Sequence, residues 1–283
     1  MKGNILKTKL HRGECVFGTH IISYMNPVAA ALTAEIPLDF AFFCTEHIPV
    51  DRTELSNLCH FYAARGISPI VRVPTCNETQ IAAALDGGAE GIVIPYVETV
   101  DEVNRAVAAI NYRPIKGRQL ETFMKDRKAI PENMQQFLSR FNASRYLIIG
   151  VESVEAMNNL EDLISIDGVD GVFLGPHDIT TSMGIPEEYE NPKFLDAIED
   201  VIRRCRKASV GVGIHIKLFT IREENLLRFL RAGMNWIING SDVTIMRDAM
   251  NAQLATLRRL TESEPPSQRD TAPTLTAVQS CIT

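Results

Sequence analysis

The sequence predicts a closed (β/α)8 barrel, in which eight parallel strands alternate with helices. Eight short apolar runs recur along the 283 residues, and amphipathic segments separate them. The runs are apolar throughout rather than alternating, which indicates strands that are buried on both faces and therefore paired in parallel. Eight such units in a chain of this length are typical of one barrel domain.

The predicted elements follow one another regularly. Strands are expected at 16–22, 40–45, 69–73, 91–96, 146–151, 171–174, 210–215 and 236–239. Helices are expected at 78–85, 100–110, 154–164, 194–208 and 223–232, with a long final helix at 243–260 that is suited to packing on a partner subunit. An open doubly wound sheet is the alternative, but no glycine-rich dinucleotide fingerprint or phosphate-binding loop follows any strand.

Two segments interrupt this order. Residues 113–144 form a long polar insertion, which is expected to cover the mouth of the barrel, where the strands end, or to reach a neighbouring subunit. The predicted organisation is a barrel domain over 1–260 and a disordered tail over 261–283, where Pro265-Pro266 and many Ser and Thr residues predict little structure.

The composition excludes several classes of protein. A net charge of −6 without a basic run argues against a nucleic-acid partner. No apolar stretch is long enough to span a bilayer and the N-terminus shows no signal-peptide segment, so a cytoplasmic protein without a membrane partner is expected. The six cysteines form no CxxC pair and are expected to be reduced thiols.

Two carboxylates follow predicted strands. Glu152 comes after the apolar run 146–149, and Asp178 comes after the run 171–174. Because the chemistry of a barrel lies at the carboxyl ends of its strands, the two are expected to hold a hard divalent cation. The alternative for each carboxylate is a helix N-cap.

Further ionisable residues lie at the same strand ends. Glu46 and His47 follow the second strand, Arg72 lies in the third, and His215 ends the seventh. Arg72 has five donors within an apolar run, so it must meet a carboxylate or a bound anion. His47 could instead be a hydrogen-bonded loop histidine.

At these residues the chain resembles the HpcH/HpaI aldolase family, the metal-dependent class II pyruvate aldolases of the citrate lyase beta-like superfamily. The matching segments are Thr45-Glu46-His47-Ile48-Pro49, Val71-Arg72-Val73-Pro74, Leu85-Asp86-Gly87-Gly88-Ala89, residues 168–178 and Asn239-Gly240-Ser241-Asp242. The resemblance covers roughly residues 5–260. It implies a barrel of the phosphoenolpyruvate/pyruvate-binding type, with the final helix swapped within a dimer that builds into a hexamer.

The resemblance also implies catalytic roles. Glu152 and Asp178 would hold the cation, Mg²⁺ or Mn²⁺ with Co²⁺ as a further candidate, and a 2-oxo acid would complete its coordination. His47 would be the general base and Asp86 would pair with it. Arg72 would stabilise the enolate.

Substrate binding is implied at the same strand ends. Backbone N–H groups at the start of the helix after the sixth strand would bind the substrate carboxylate. The residues implied in substrate binding are Arg72, Gly150, Gly175, Pro176, His177 and Asp178.

The chain departs from the family at three positions. Cys44 stands where an acidic residue is typical, Gly150 where a substrate-contacting Gln is typical, and His177 where a small residue is typical. Loss of the Gln is expected to open space beside Gly150. His177 could contact a second substrate carboxylate, act as a base, ligate the metal, or pack in its turn.

Three functions remain open from the sequence. The first is retro-aldol cleavage of a 4-hydroxy-2-oxo acid to pyruvate and an aldehyde. The second is condensation of oxaloacetate with acetyl-CoA, whose phosphates would meet Lys116, Arg118, Lys125, Arg127 and Lys128 of the insertion. The third is a non-catalytic binding barrel.

A metal and an arginine would make a lysine Schiff base unnecessary, and the lysine nearest to a strand end is Lys217.

Overall fold

The computed structural model describes residues 3–23, 25–33, 35–216 and 221–261, which form a closed parallel barrel. The strands pair in chain order, and β1 closes the ring by pairing with β8. They are β1 Val16–His20, β2 Phe40–Cys44, β3 Ser68–Arg72, β4 Gly91–Ile94, β5 Tyr146–Val151, β6 Gly171–Leu174, β7 Gly211–Ile216 and β8 Trp236–Ser241. The predicted fold class is therefore confirmed.

Helices cover the outside of the barrel. They are α1 Gly3–Arg12, α2 Pro27–Thr33, α3 Arg52–Ala64, α4 Glu78–Asp86, α5 Val100–Asn111, α6 Gly117–Lys125, α7 Glu132–Phe141, α8 Val154–Asn158, α9 Leu160–Ile164, α10 Pro176–Ser182, α11 Pro192–Lys207, α12 Glu223–Ala232 and α13 Asp242–Thr261. A short 3-10 helix, Arg127–Ala129, separates α6 from α7. The segment predicted as one helix at 154–164 is two short helices that meet at Asn159.

Large side chains fill the interior of the barrel. The buried cluster contains Val16, Phe40, Phe42, Ile70, Val93, Tyr146, Ile148, Phe173, Trp236 and Ile238. Helix α1 closes the amino end, because its Leu6 and Leu10 are fully buried in the same cluster. Gly213 permits close packing, since a Cβ there would lie 1.6 Å from the Trp236 carbonyl oxygen. The packed interior leaves the mouth as the end at which a ligand can enter.

The insertion lies at the amino end of the barrel, so the expectation that it covers the mouth is wrong. Helix α5 returns the chain to the amino end before the insertion starts, and β5 begins there directly after it. The Asn142 side chain ties the two ends of the insertion together by donating to the carbonyl oxygens of Asn111 and Arg113. The insertion packs on a small core of its own, which contains Tyr112, Ile115, Phe123, Ile130 and Leu138. Its basic residues are therefore remote from the mouth of the same chain.

The final helix, α13, keeps an apolar face in contact with solvent. Asp242 is its one buried residue. Met250, Leu254 and Leu257 recur at helical spacing, and their exposed fractions are 54%, 45% and 57%. An apolar stripe of this kind on a 20-residue helix is typical of a surface that packs on another element.

Lys217 and most of the predicted tail fall outside this description. The predicted tail over 261–283 lies beyond the described residues except for Thr261. In the part of the chain that the structure describes, no helix has the length and apolar character needed to cross a membrane.

Candidate active site

A cavity of about 540 Å³ occupies the mouth of the barrel. It is lined by His47, Arg72, Glu152, Phe173, Gly175, Pro176, His177, Asp178, Glu187, Tyr189, His215 and Ile221. The structure thus brings together the predicted metal pair, the predicted base, the arginine and the turn predicted to bind substrate. Asp86 and Gly150 were also predicted as site residues, but neither lines the cavity.

Glu152 is a buried carboxylate with one oxygen satisfied and one oxygen without a partner. Its Oε2 accepts a hydrogen bond of 2.7 Å from the backbone N–H of Tyr96, a residue whose φ of 50° lies in the left-handed region. Its Oε1 has no hydrogen-bond partner among the described residues, and Arg72 Nη1 lies 3.9 Å away. Burial raises the pKa of Glu152 to about 7. A buried oxygen in this state is unfavourable unless a cation binds it.

The surroundings of Glu152 Oε1 fit a metal ion. Gly175 leaves room beside this oxygen, since a Cβ at that position would lie only 2.5 Å from it. Asp178, in the first turn of α10, lines the same cavity, and its negative charge adds to the raised pKa of Glu152. Because hard divalent cations prefer carboxylate oxygens, Glu152 and Asp178 form a suitable donor pair.

Gly175→Ala should weaken metal binding, because the added methyl group must displace the Glu152 carboxylate. We expect the affinity for Mn²⁺ to fall by roughly 10- to 100-fold, as for other residues that position metal ligands. Gly171→Ala is the matched control, since Gly171 begins the strand that Gly175 follows and its Cβ would lie no closer than 3.2 Å to any neighbour, the Ile148 side chain. Calorimetric titration of both variants checks this, and unchanged affinity in Gly175→Ala would contradict the proposed ligand position.

Gly150 does not border open space, so the expectation that the missing Gln side chain leaves a gap is wrong. A Cβ at Gly150 would lie 2.9 Å from Glu152 Oε2 and 2.9 Å from the carbonyl oxygen of Ile94. The Glu152 carboxylate and the end of β4 already occupy this position. Gly150 therefore permits the observed placement of Glu152 rather than enlarging the substrate pocket.

Arg72 is held by Cys44, Glu46 and His47 at the end of β2, and these four residues are here called the Arg72 cluster. Cys44 and Arg72 are direct neighbours in the pairing of β2 with β3. Nε and Nη2 of Arg72 donate to Cys44 Sγ at 3.3 and 3.1 Å, and Nε lies 3.0 Å from Glu46 Oε2. Nη2 lies 2.7 Å from His47 Nδ1. Arg72 thus meets anionic groups, as its five buried donors require.

The ligand atoms of Cys44, Glu46 and His47 lie within 4.8 Å of one another, a spacing that can also hold a metal ion. In this structure, however, all three residues are turned toward the guanidinium of Arg72. The cation that they surround is Arg72. In this structure the three residues are therefore partners of the arginine.

The Arg72 cluster changes the pKa of two of its members. Burial alone would raise the pKa of the Cys44 thiol, but the hydrogen bond with His47 and the charge of Arg72 lower it to about 7. The hydrogen bond with Cys44 raises the pKa of His47. Cys44 is therefore the buried cysteine best placed to carry a negative charge near neutral pH.

Asp86 was predicted to pair with His47, but the two residues are not in contact within this chain. Asp86 is the last residue of α4, and it forms an ion pair with Arg113 at the start of the insertion. A helix of nine residues that starts near the mouth carries its last residue about 12 Å toward the amino end of the barrel. His47 contacts Cys44, Arg72 and Glu46 instead.

The outer wall of the cavity includes residues that strand-end reasoning did not find. Glu187 and Tyr189 come from the loop after α10, where no apolar run precedes them. His177 is half-exposed, and its Nδ1 lies 3.9 Å from Glu187 Oε1, too far for a hydrogen bond. His177 therefore lines the cavity with Glu187 rather than packing inside the turn.

His20 is a further ionisable residue that the sequence analysis missed. It ends β1 and is 7% exposed, and neither ring nitrogen has a hydrogen-bond partner among the described residues. Burial lowers the pKa of His20 well below its usual value, and the nearby His215 and Arg72 act in the same direction. The ring is therefore neutral. The strand was predicted to run to residue 22, so His20 fell inside it, and no strand-end signal marked it.

The buried arginine beside an acidic pair is suited to stabilising a developing anion, and comparison with known proteins indicates the same class of enzyme. The sequence model of the HpcH/HpaI aldolase/citrate lyase family matches residues 25–249, most of the chain. The protein is an aldolase-type carbon–carbon lyase. It belongs to the HpcH/HpaI aldolase/citrate lyase family, and the family resemblance found in the sequence is confirmed.

Individual relatives agree with this assignment. The chain is 29% identical over 255 residues to the 2-keto-3-deoxy-L-rhamnonate aldolase of Escherichia coli O17:K52:H18, with 89% of this chain and 92% of the relative covered. The crystal structure of an HpcH/HpaI aldolase from Desulfitobacterium hafniense DCB-2 matches with a TM-score of 0.77 and 25% identity, covering 94% and 99% of the two chains. The citrate synthase SbnG matches with a TM-score of 0.75 and 23% identity, covering 91% and 98%, which shows a shared fold.

Proposed function

We propose that this protein is a metal-dependent aldolase that cleaves or forms a 4-hydroxy-2-oxo acid through a pyruvate-type enolate. The observation that carries the proposal is the partnerless Oε1 of buried Glu152, which faces Arg72 at 3.9 Å in the cavity that Asp178 also lines. An anionic oxygen and a guanidinium this close together suit a site for a cation and a developing enolate.

Glu152 and Asp178 would hold the metal, with Mg²⁺, Mn²⁺ or Co²⁺ as candidates. The bound ion would act as a Lewis acid toward the 2-oxo group. The N–H groups in the first turn of α10 have no partners within that helix, as at every helix start, and they support binding of the substrate carboxylate. Arg72 supplies positive charge beside the keto oxygen, where the enolate forms.

His47 is the proposed acid and base at the aldol hydroxyl. Its Nδ1 lies within the Arg72 cluster, which leaves Nε2 as the nitrogen for the substrate. When Nδ1 accepts from Arg72, the neutral ring carries its proton on Nε2 and cannot take a second proton there. Cleavage requires the other tautomer, in which Nδ1–H turns toward Cys44 Sγ, 3.9 Å away, and Nε2 takes the proton of the aldol hydroxyl. Addition runs the same step in reverse, and the imidazolium returns that proton from Nε2 to the aldehyde oxygen.

The substrate class is tested by assaying pyruvate release from 4-hydroxy-2-oxo acids. The panel begins with 2-keto-3-deoxy-L-rhamnonate, which the relative's name suggests as a substrate. We expect release that requires added Mn²⁺ or Mg²⁺ and stops with EDTA. Release that EDTA leaves unchanged would contradict the metal-dependent proposal.

Condensation of oxaloacetate with acetyl-CoA is not favoured by any observation, because the basic insertion lies at the other end of the barrel.

We also propose that the protein is a homo-oligomer that forms through α13, with the dimer building into a hexamer. The exposed stripe of Met250, Leu254 and Leu257 supports this proposal, since solvent exposure of three large apolar side chains on one face is unfavourable. The swapped final helix implied by the family would cover the stripe.

The double variant Leu254→Glu/Leu257→Glu should dissociate the oligomer, because two charges on the stripe cannot be buried without partners. We expect a smaller assembly in light scattering at a protein concentration at which the wild type is oligomeric. Glu substitutions at Ala252 and Thr256, also exposed on α13, add the same two charges away from the stripe and provide the control. An unchanged mass in the Leu variant would exclude this face as the interface.

A further inference from the structure

Cys44 enters the chemistry above only as the group toward which His47 Nδ1–H turns, although its sulfur lies at the centre of the Arg72 cluster. The residue is fully buried. Its Sγ accepts hydrogen bonds from Arg72 Nε at 3.3 Å, from Arg72 Nη2 at 3.1 Å and from the backbone N–H of His47 at 3.4 Å. A neutral thiol is a weak acceptor, whereas a thiolate is well suited to three donors, two of which belong to the positively charged guanidinium of Arg72.

The charges around Cys44 support the anionic form. Arg72 faces the sulfur from β3, while His47 and Glu46 face it from the loop that follows β2. The hydrogen bond with His47 and the charge of Arg72 lower the pKa of the thiol to about 7, against the effect of burial. The negative charge is therefore present above about pH 7 and is lost as the pH falls below it.

We propose that Cys44 is a thiolate positioning residue that orients Arg72 and selects the tautomer of His47. This inference rests on the proposed function. Because the sulfur engages Nε and Nη2, it leaves Nη1 of Arg72 directed toward Glu152 and the metal pair. The same sulfur lies 3.9 Å from His47 Nδ1, where it can accept the Nδ1 proton and free Nε2 to act as a base.

The role of the anion is tested by comparing Cys44→Ser, which keeps the size but removes the charge, with Cys44→Asp, which restores the charge. We expect kcat to fall by roughly 10- to 100-fold in Cys44→Ser, with metal affinity unchanged, because Arg72 loses its orientation. Cys44→Asp should retain most of the activity, and at saturating metal its rate should persist to lower pH than that of the wild type. Cys59→Ser, a buried cysteine of α3 outside the cavity, is the control.

Wild-type kcat in Cys44→Ser would overturn the proposal. So would a folded Cys44→Asp variant as inactive as Cys44→Ser, since the charge would then not be what matters. Retained activity in Cys44→Asp with the shifted pH profile is the supporting result.

A second measurement does not depend on activity. The thiolate absorbs in the ultraviolet, so the difference in absorbance between the wild type and Cys44→Ser reports its ionisation during a pH titration. We expect ionisation near pH 7 in the wild type, and a rise of about one unit or more when Arg72→Ala is introduced. If Arg72→Ala leaves the pH at which Cys44 ionises unchanged, the inference is overturned. If the shift occurs but the wild type releases no pyruvate in the presence of metal, the ion pair stands and the proposed function fails.

Discussion

Arg72→Ala should lower turnover by about 10³-fold while leaving metal affinity within a few-fold of the wild type. The guanidinium is the buried positive charge nearest to Glu152 among the described residues, and Glu46, Cys44 and His47 fix its orientation. Its removal would take away the stabilisation of the enolate, but Glu152 and Asp178, the proposed metal ligands, would remain. Steady-state kinetics and titration with Mn²⁺, both at pH 8, measure the two quantities separately.

Arg72→Lys is the matched variant, because it keeps the charge but not the planar set of donors. Lys cannot contact Cys44 with two donors and still direct a third toward Glu152. We therefore expect its turnover to stay well below that of the wild type. A large loss of metal affinity in Arg72→Ala would show that the arginine organises the metal site, and the role assigned to it would be wrong.

Glu152→Gln should abolish metal binding and, in the absence of metal, stabilise the folded protein at alkaline pH. Burial raises the pKa of Glu152 from its ordinary 4.5 to about 7, so the folded state holds a proton that the unfolded state has released. The free energy of unfolding therefore falls as the pH rises from 4.5 to 7, and the total loss is on the order of 3 kcal/mol above pH 7. Gln has no charge to bury, and its side-chain oxygen can still accept from Tyr96 N–H.

Thermal unfolding at pH 5 and pH 8, with and without Mn²⁺, checks this expectation. Without metal, Glu152→Gln should unfold at a higher temperature than the wild type at pH 8, and the difference should shrink at pH 5. Added Mn²⁺ should stabilise the wild type and leave the variant unchanged. Glu187→Gln is the control, since Glu187 lines the same cavity but is mostly exposed and lies outside the proposed donor pair. Stabilisation of Glu152→Gln by Mn²⁺ would place the metal elsewhere.

The barrel could be predicted because burial on both faces gives each parallel strand an uninterrupted apolar run. The runs at Gly91–Ile94 and Gly171–Leu174 are only four residues long, yet each is buried throughout and lies within its predicted strand. Predicted strands erred mainly at their ends, as at 16–22, where the strand stops at His20. Sequence periodicity could not show that the insertion lies at the amino end, because that follows from the direction of α5.

The candidate site was predictable where a charged residue ends a strand, as Arg72 does, or directly follows one, as Glu152 does. It was not predictable where a contact depends on distance across the fold. Asp86 matches a family motif but is carried away from the mouth by the length of α4, and its partner within the chain is Arg113. The sequence suggested that Gly150 leaves empty space where a Gln side chain is missing. In the structure a Cβ at Gly150 would contact the Glu152 carboxylate, and the position of that carboxylate cannot be seen in the sequence.

The most direct test of the central claim is exchange of the methyl protons of pyruvate in D₂O, followed by NMR with added Mn²⁺ or Mg²⁺ and again with EDTA. It detects enolate formation without requiring the aldehyde to be known. The account predicts exchange by the wild type that depends on metal, stops with EDTA and is absent in Glu152→Gln. Exchange that persists with EDTA or in Glu152→Gln, or no exchange by the metal-loaded wild type, would contradict an enolate formed at the Glu152 and Asp178 site.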